Sequence, residues 1–161
     1  MERIKLDSSD IKILEILQNE GRLPNNELAN RIGLTPTPTL ERVRRLEREG
    51  IIKGYCARLD KEAVGKGMMV FVTVTLSIHQ LKLLEEFTKA VLEIPEILTC
   101  YNITGEGDFL LQVVVKDTKH YERFMREKLA TLPDVQRLNT TIVLNTIKEE
   151  SVIPVNLSDY D

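Results

Sequence analysis

Apolar residues recur at helical spacing in three short stretches within the first third of the chain. The first stripe runs through residues 11–17, follows a capping-box signal at residues 7–10 and stops at Gly21. The second stripe ends at Gly33, and the third covers residues 36–49. The pattern therefore predicts three helices, the last two joined by a turn of about three to four residues.

The third predicted helix has two contrasting sides. Its apolar side holds Leu40, Val43 and Leu46. The opposite arc is polar and basic, and it consists of Thr37, Pro38, Glu41, Arg42, Arg44, Arg45 and Arg48. Arginine suits both phosphate and guanine, because its planar fork donates two parallel hydrogen bonds. The alternative is a solvated helix whose arginines pair with neighbouring glutamates, and this helix alone does not decide between the two.

The surroundings of that helix favour contact with nucleic acid. Two short helices joined at Gly33 have the spacing of a helix-turn-helix, whose second helix enters the major groove. The motif covers about residues 25–44. We expect Thr35 to cap the third predicted helix and to contact DNA together with the polar arc. Pro36 suits the first helical turn. The apolar, β-prone residues 51–55 are predicted to form a short wing-like strand.

The remaining hundred residues switch to a mixed pattern. Apolar runs and helical stripes give the order strand, helix, strand, strand, helix, strand, over residues 70–76, 80–93, 97–103, 108–115, 118–132 and 138–147. This βαββαβ order predicts a ferredoxin-like domain, and with the helical first domain an α+β fold. A shift of 38 residues superposes Ile94–Ile97 on Leu132–Val135 and Phe87 on Met125, as two matching βαβ halves require.

The predicted strands carry more apolar surface than two helices on one face can cover. We therefore expect the other face of the sheet to pair with a second copy of the chain.

One loop of the second domain has the chemistry of a small-molecule site. Residues 104–108 join the two halves, and their paired glycines permit a tight turn with close backbone approach to a ligand. The Asp108 carboxylate is suited to an amino group. An ordinary hairpin turn is the alternative that the local chemistry leaves open. A nucleotide-binding loop is not expected, because no G-x-x-x-x-G-K and no helix-opening G-x-G-x-x-G occurs.

Composition restricts the class of protein. Of 161 residues, 42% are hydrophobic and 29% charged, as in soluble globular proteins. No apolar run approaches the roughly 20 residues that cross a bilayer, and the first residues contain no apolar leader segment. Cys56 and Cys100 lack CxxC spacing and are expected to be reduced packing residues, while His79 and His120 are too scattered for a metal site. We expect a cytoplasmic protein without metal or cofactor.

The net charge of −3 argues at first against a nucleic-acid partner. Residues 1–60 carry a net charge of +1 and residues 61–161 one of −4, so contact with DNA has to rest on the local cluster of arginines. We expect a DNA-binding domain over residues 1–60, a dimerisation and effector-sensing domain over 61–150, and a tail over 151–161.

Several stretches resemble the leucine-responsive regulator / asparagine-operon regulator (Lrp/AsnC) family, most closely its leucine-responsive branch. In the first domain they are Gly21-Arg22-Leu23, Glu27-Leu28-Ala29, Gly33 to Pro38, Leu40 to Glu47, Gly50-Ile51-Ile52 and Gly54-Tyr55. In the second they are Thr104-Gly105, Asp108 to Leu111, and Leu132 to Val135. The resemblance covers roughly residues 4–150.

This resemblance implies a division of labour between the domains. The helix-turn-helix would read double-stranded DNA, and the βαββαβ domains would pair sheet against sheet into homodimers, which often assemble into octamers. A free amino acid would bind between dimers, close to the glycine–aspartate loop. By position, the effector-binding candidates are Asn102, Gly105, Asp108, Thr118, Thr141 and Ile142.

Four positions depart from the pattern of the family. Asn102 and Thr118 stand where apolar residues are usual, and Thr141 stands where a tyrosine is usual, which leaves the identity of the effector open. Pro24 replaces a capping serine before the second helix, and we expect Asn25 to supply the cap.

The patterns predict a DNA-binding protein, and the resemblance implies a sequence-specific transcription regulator of amino-acid metabolism genes that is modulated by a free amino acid. A small-molecule-binding module that regulates an enzyme is the alternative, and the arginine-rich helix counts against it. An enzyme is not expected, because no nucleophile–base pair and no ligand cluster can be assembled.

Overall fold

The computed structural model describes residues 5–77 and 81–156, so His79 lies outside the described residues. The chain divides into two compact units. The first contains the described residues up to Arg58 together with those from Lys148 onward, and the second spans Leu59–Ile147. Residues 148–156 thus belong to the same unit as residues 5–58.

Three helices build the first unit: α1 (Ser8–Asn19), α2 (Asn25–Ile32) and α3 (Pro36–Arg48). The predicted capping box at the start of α1 is confirmed. The Asp7 carboxylate accepts the N–H groups of Ser9 and Asp10, both at 2.9 Å, and Asp10 accepts the N–H of Asp7 at 3.0 Å. Apolar faces of the three helices meet in one core, formed by Leu6, Ile11, Ile13, Leu14, Leu28, Ile32 and Leu46.

Two predicted caps are not formed. Pro24 is the N-cap of α2 and no side chain caps that helix, so the expectation for Asn25 is wrong. The Asn25 amide instead donates to the Pro36 carbonyl at 2.8 Å and ties α2 to α3. Thr35 is the N-cap residue of α3, but its side chain makes no capping hydrogen bond.

The predicted wing-like strand over residues 51–55 is also wrong. The N–H groups of Ile51 and Ile52 both donate to the Leu46 carbonyl, at 3.0 and 3.1 Å, and so form a tight turn after α3. Both isoleucines are half-buried against the core of the unit. Their apolar character therefore reflects packing rather than pairing in a sheet.

The second unit has the predicted βαββαβ order, and its ferredoxin-like fold is confirmed. Its elements are β1 (Met68–Leu76), α4 (Leu81–Leu92), β2 (Ile97–Asn102), β3 (Phe109–Val115), α5 (Thr118–Glu127) and β4 (Val135–Ile142). The sheet order is β2-β3-β1-β4, and all neighbours are antiparallel. A 3-10 turn at Leu129–Thr131 ends the second helical segment earlier than predicted. The last strand also ends earlier, because its pairing with β1 stops at Ile142.

The two faces of this sheet differ in burial. Alternate β1 residues from Val70 to Leu76 are buried against α4 and α5, where the Phe87 and Phe109 rings lie 4.7 Å apart. Most side chains of the opposite face are half-buried or exposed, although Val114 is buried. The half-buried or exposed ones include Phe71, Thr73, Tyr101, Leu110 and Gln112. We call this second set the open face.

Two further expectations change with the structure. Phe124 rather than Met125 is buried at the position that echoes Phe87, because the echo is one residue out of register on α5. Cys56 and Cys100 are both exposed, so the expectation that they pack in the core is wrong.

Within the described part of the chain, no helix has the length and apolarity needed to span a membrane.

Candidate functional site

The turn between α2 and α3 has helix-turn-helix geometry. Gly33 ends α2 with φ +74°, a left-handed conformation that glycine adopts without strain, and its N–H bonds back to the last turn of the helix. The Leu34 N–H donates to the Ala29 carbonyl at 3.0 Å. Pro36 then begins α3, as the sequence predicts.

The buried side of α3 is centred on Leu46. Thr39, about two turns earlier on the same side, also has no exposed surface. The Thr39 hydroxyl donates to the Thr35 carbonyl at 2.9 Å, which satisfies it inside the unit. Leu40 keeps 37% of its surface exposed, so the prediction that it packs inward is wrong.

The outward side of α3 follows from this rotation. Thr37, Glu41, Arg44 and Arg48 have the spacing i, i+4, i+7 and i+11, and all four are exposed. Thr35 is exposed just before the helix, and Pro38 is half-buried. No carboxylate among the described residues pairs with the guanidinium of Arg44 or Arg48.

Arg42 and Arg45 lie on a different side of the helix, facing α1. Both are half-buried, so the prediction that they share the exposed face is wrong. Arg42 Nη1 lies 2.6 Å from Asp7 Oδ2 and 2.9 Å from Asp10 Oδ1. Arg45 Nη2 lies 2.5 Å from Asp10 Oδ2, and its Nε lies 4.0 Å from a Glu49 carboxylate oxygen.

Asp10 is the centre of this cluster. Only 1% of its surface is exposed, and its carboxylate accepts from Asp7 N–H, Arg42 and Arg45 at once. Such a buried carboxylate is tolerated because cationic donors compensate it. The same residue closes the capping box of α1, so one side chain fixes both the start of α1 and the position of α3.

The charges of the cluster reinforce one another. Burial alone raises the pKa of the Asp7 carboxyl, but hydrogen bonds from the Asp10 N–H and from Arg42 outweigh it and leave that pKa below its usual value. Hydrogen bonds to Asp7 and Asp10 raise the pKa of the Arg42 guanidinium. These arginines therefore serve first as structural ions, while their assignment as DNA contacts stays a prediction.

The β2–β3 loop of the second unit is folded back on β1. The Asp108 N–H donates to the Val74 carbonyl, and the Asp108 carboxylate accepts the Leu76 N–H, both at 2.8 Å. The Asn102 amide donates to the Asp108 carbonyl at 3.2 Å. Asp108 is half-buried and holds the loop in place, and Gly105 is exposed.

The close backbone approach predicted for this loop occurs at Gly107. With φ +118°, a Cβ there would lie 2.4 Å from Thr73 Cγ2 and 3.2 Å from the Val74 carbonyl oxygen. The neighbouring element is therefore β1 rather than a ligand. Gly105, with φ +107°, faces open space.

The six effector candidates form two groups in one copy of the chain. Asn102, Gly105 and Asp108 lie at the Phe109 end of β3. Thr118 follows the Val115 end. Thr141 and Ile142 are exposed on β4, in the rows of Gln112 and Val113, and β4 is the edge strand opposite to β2. Phe109 and Val115 are six residues apart on one strand, which is about 20 Å.

Both units match known protein families. Residues 6–53 match the family described as winged helix-turn-helix DNA-binding, and residues 69–153 match the Lrp/AsnC ligand binding domain. The chain belongs to the Lrp/AsnC family. It is a DNA-binding transcription regulator with a ligand-binding domain, and it is not an enzyme. The alternative of an enzyme-regulating module is thereby set aside.

Relatives of this Lrp/AsnC protein are similar along most of their length. A Bkd operon transcriptional regulator of Pseudomonas aeruginosa is 40% identical over 151 residues, 94% of this chain and 99% of the relative. The leucine-responsive regulatory protein of Escherichia coli K12 is 41% identical over 146 residues, 91% of this chain and 89% of the relative.

Solved structures of the family share the fold. A transcriptional regulator from Neisseria meningitidis, crystallised as an L-Met complex, has a TM-score of 0.90 and 38% identity, and the match covers 94% of this chain and 98% of that one. An AsnC family regulator from Agrobacterium tumefaciens has a TM-score of 0.88 and 32% identity, with coverage of 92% and 97%.

The structural role of Asp10 escaped the sequence patterns of this Lrp/AsnC chain. Its capping role was visible, because it follows Asp7 by three residues. Its pairing with Arg42 and Arg45 spans 32 and 35 residues, and only the packing of α3 on α1 creates it. The predicted buried side of the third helix included Leu40, whereas the buried residue is Thr39. This error rotated the predicted helix about its axis and placed both arginines on the exposed side.

Proposed function

We propose that the outward side of α3 reads operator DNA in the major groove, through Thr37, Glu41, Arg44 and Arg48. The observation that carries this proposal is that the four arginines of α3 lie on two different sides of the helix. Arg42 and Arg45 are engaged by Asp10, whereas Arg44 and Arg48 are exposed and pair with no described carboxylate. Exposed arginines on such a helix are matched to guanine edges and phosphates.

Operator binding by the purified protein tests this function. A DNA fragment selected from random sequences for binding is expected to stay bound at competitor concentrations that remove a scrambled fragment. The reason is that the affinity of such proteins for specific sites exceeds their affinity for non-specific DNA by about 10³-fold or more. Equal retention of both fragments would contradict sequence-specific reading.

Replacing Arg44 by alanine is expected to weaken operator binding by about 1–3 kcal/mol if the side chain reads a base. Preference at that base should relax at the same time. If Arg44 contacts only phosphate, binding weakens on all sequences and the salt slope falls by about one. Fluorescence anisotropy on base-substituted operators separates the two cases. Lys12→Ala, an exposed cation on α1, is the matched control, and equal losses in both variants would count against a role for this face of α3.

The open face of the sheet is proposed to pair two copies into a homodimer, with further assembly to an octamer. Its exposed or half-buried apolar residues, Phe71, Leu110 and Tyr101, lie on adjacent strands. An apolar sheet face of this kind needs a cover. We also propose that the protein acts in the cytoplasm, because its role in transcription requires access to DNA.

Leu110→Glu is expected to convert the protein to monomers in sedimentation velocity at micromolar concentration, because the carboxylate would be buried unpaired in the interface. Leu92→Glu is the matched control, since Leu92 is 77% exposed on α4. Wild-type assembly in Leu110→Glu would exclude the open face as the dimer contact.

The effector is proposed to be a free amino acid held between copies of the chain. The two groups of candidates lie too far apart for one amino acid to span them within a copy, so a site that includes both needs a second copy. The Neisseria relative is solved with L-Met, which supports this ligand class. The departures at Asn102, Thr118 and Thr141 leave open which amino acid this chain takes.

A thermal-shift screen of the twenty amino acids is expected to identify the effector, which at a hundredfold excess over Kd stabilises the folded state by about 2.7 kcal/mol. Asn102→Trp and Thr141→Trp should each abolish the shift by filling the site. A co-expressed mixture of both variants should recover part of it, because some sites then combine two unaltered groups. No recovery in assembled mixtures would show that the site lies within one copy.

A further inference from the structure

In the first unit, residues 148–156 lie along an apolar groove. With this segment in place, a cavity of about 290 Å³ remains between it, one side of α1 and the residues that follow α3. Its walls are Leu14, Leu17, Gln18, residues 51–55, Ile153 and Val155. The last two belong to the C-terminal segment, residues 148–156, which the contacts group with this unit.

Gln18 recognises the backbone of that segment at two points. Its Oε1 accepts the Ile153 N–H at 2.7 Å, and its Nε2 donates to the Ile153 carbonyl at 3.1 Å. One amide thus satisfies both backbone groups of a single residue, as the neighbouring strand of a sheet would. Pro154 follows directly and favours an extended backbone at Ile153.

Side chains and a second anchor complete the contact. Val152 and Val155 are half-buried, and Val155 packs against the core of the unit, while Ile153 is 70% exposed. Arg58 Nη2 donates to the Glu149 carbonyl at 2.9 Å and holds the start of the segment. This pattern of backbone clamp and apolar pocket is typical of sites that bind extended peptides.

The groove shares a wall with α3. The N–H groups of Ile51 and Ile52 donate to the Leu46 carbonyl, and the Tyr55 hydroxyl donates to the Glu47 carboxylate at 3.0 Å. Burial, with this hydrogen bond, raises the pKa of Tyr55 to about 12, so the hydroxyl keeps its proton at neutral pH. The C-terminal segment therefore lines the same cavity as residues that are hydrogen-bonded to the last turns of α3.

We propose that this groove is a binding site for an extended apolar peptide, that its occupant is residues 149–156 of this chain, and that occupancy sets the affinity for DNA. The proposal rests on the DNA-reading role of α3. When the segment occupies the groove, α1, α3 and residues 51–55 pack together with it. When the groove is empty, its apolar walls are exposed to water and α3 loses packing contacts on the side away from DNA.

Two variants of the full chain test the proposal. Gln18→Ala removes the clamp without opening a buried hole, and Val155→Asp places a charge in the groove. Each is expected to weaken operator binding about tenfold and to remove the hydrogen-exchange protection of the Ile153 N–H. Ser151→Asp adds the same charge at an exposed position of the same segment and should bind within twofold of the wild type.

A synthetic peptide spanning residues 149–156 supplies the second measurement. Added to Val155→Asp, it should restore operator affinity, and the same peptide carrying aspartate for Val155 should not. An unprotected Ile153 N–H in the wild type, or wild-type operator affinity in both groove variants, overturns the proposal. Failure of the wild type itself to bind DNA refutes the DNA-reading role instead, and exchange at Ile153 still reports on the groove.

Discussion

Replacing Asp10 by alanine is expected to lower the free energy of unfolding of the DNA-binding unit by about 3 kcal/mol. Removing the shared acceptor of a buried ion pair leaves Arg42 and Arg45 uncompensated and opens the capping box of α1, which together cost about this amount. The side chains of the two arginines are 29% and 33% exposed, so water recovers part of the loss. Urea unfolding followed by circular dichroism measures the change.

Glu15→Ala, at an exposed position on the same helix, is the control and should change stability by less than about 0.5 kcal/mol. Asp10→Asn should fall between the two, because the amide keeps an acceptor but loses the charge. A loss below 1 kcal/mol in Asp10→Ala, which is smaller than a cap alone typically contributes, would contradict the structural role given to this cluster.

Gly107→Ala is expected to destabilise the ligand-binding unit by about 3–5 kcal/mol, through steric overlap with β1 added to backbone strain. The new Cβ would meet Thr73 Cγ2, a stiff β-branched side chain, and the Val74 carbonyl that accepts the Asp108 N–H. Calorimetric unfolding of the full chain gives the change.

Gly105→Ala separates strain from overlap. Its φ of +107° is similar, but no atom lies within 4 Å of the added Cβ, so only backbone strain of about 1–2 kcal/mol is expected. Equal losses in the two variants would mean that the backbone angle alone requires a glycine at position 107, and that the contact with β1 contributes nothing.

Sequence patterns predict this fold well where spacing is local. The βαββαβ order follows from short apolar runs and helical stripes, and the three-residue spacing of Asp7 and Asp10 predicts the capping box. Predictions failed where a distant contact decides. Ile51 and Ile52 pack against the core of the first unit rather than pairing in a sheet. Asn25 donates to Pro36, eleven residues away, rather than capping its own helix.

The candidate sites show the same division. Outward placement of Arg44 and Arg48 was predictable from the helical period, whereas Arg42 and Arg45 are turned inward by ion pairs that local patterns do not encode. The separation of Asn102 from Thr118 follows from the sheet register and not from their spacing in the chain. The groove that holds Ile153 depends on Gln18, 135 residues earlier.

Site-specific photo-crosslinking from α3 to operator DNA tests the central claim most directly. A photoreactive residue at position 44 should crosslink to bases within the operator, and one at the exposed position 15 on α1 should not. Both proteins should first be shown to bind with comparable affinity. Crosslinks from position 15 that equal those from position 44, or none from position 44 in bound complexes, would contradict the account that the outward side of α3 reads DNA.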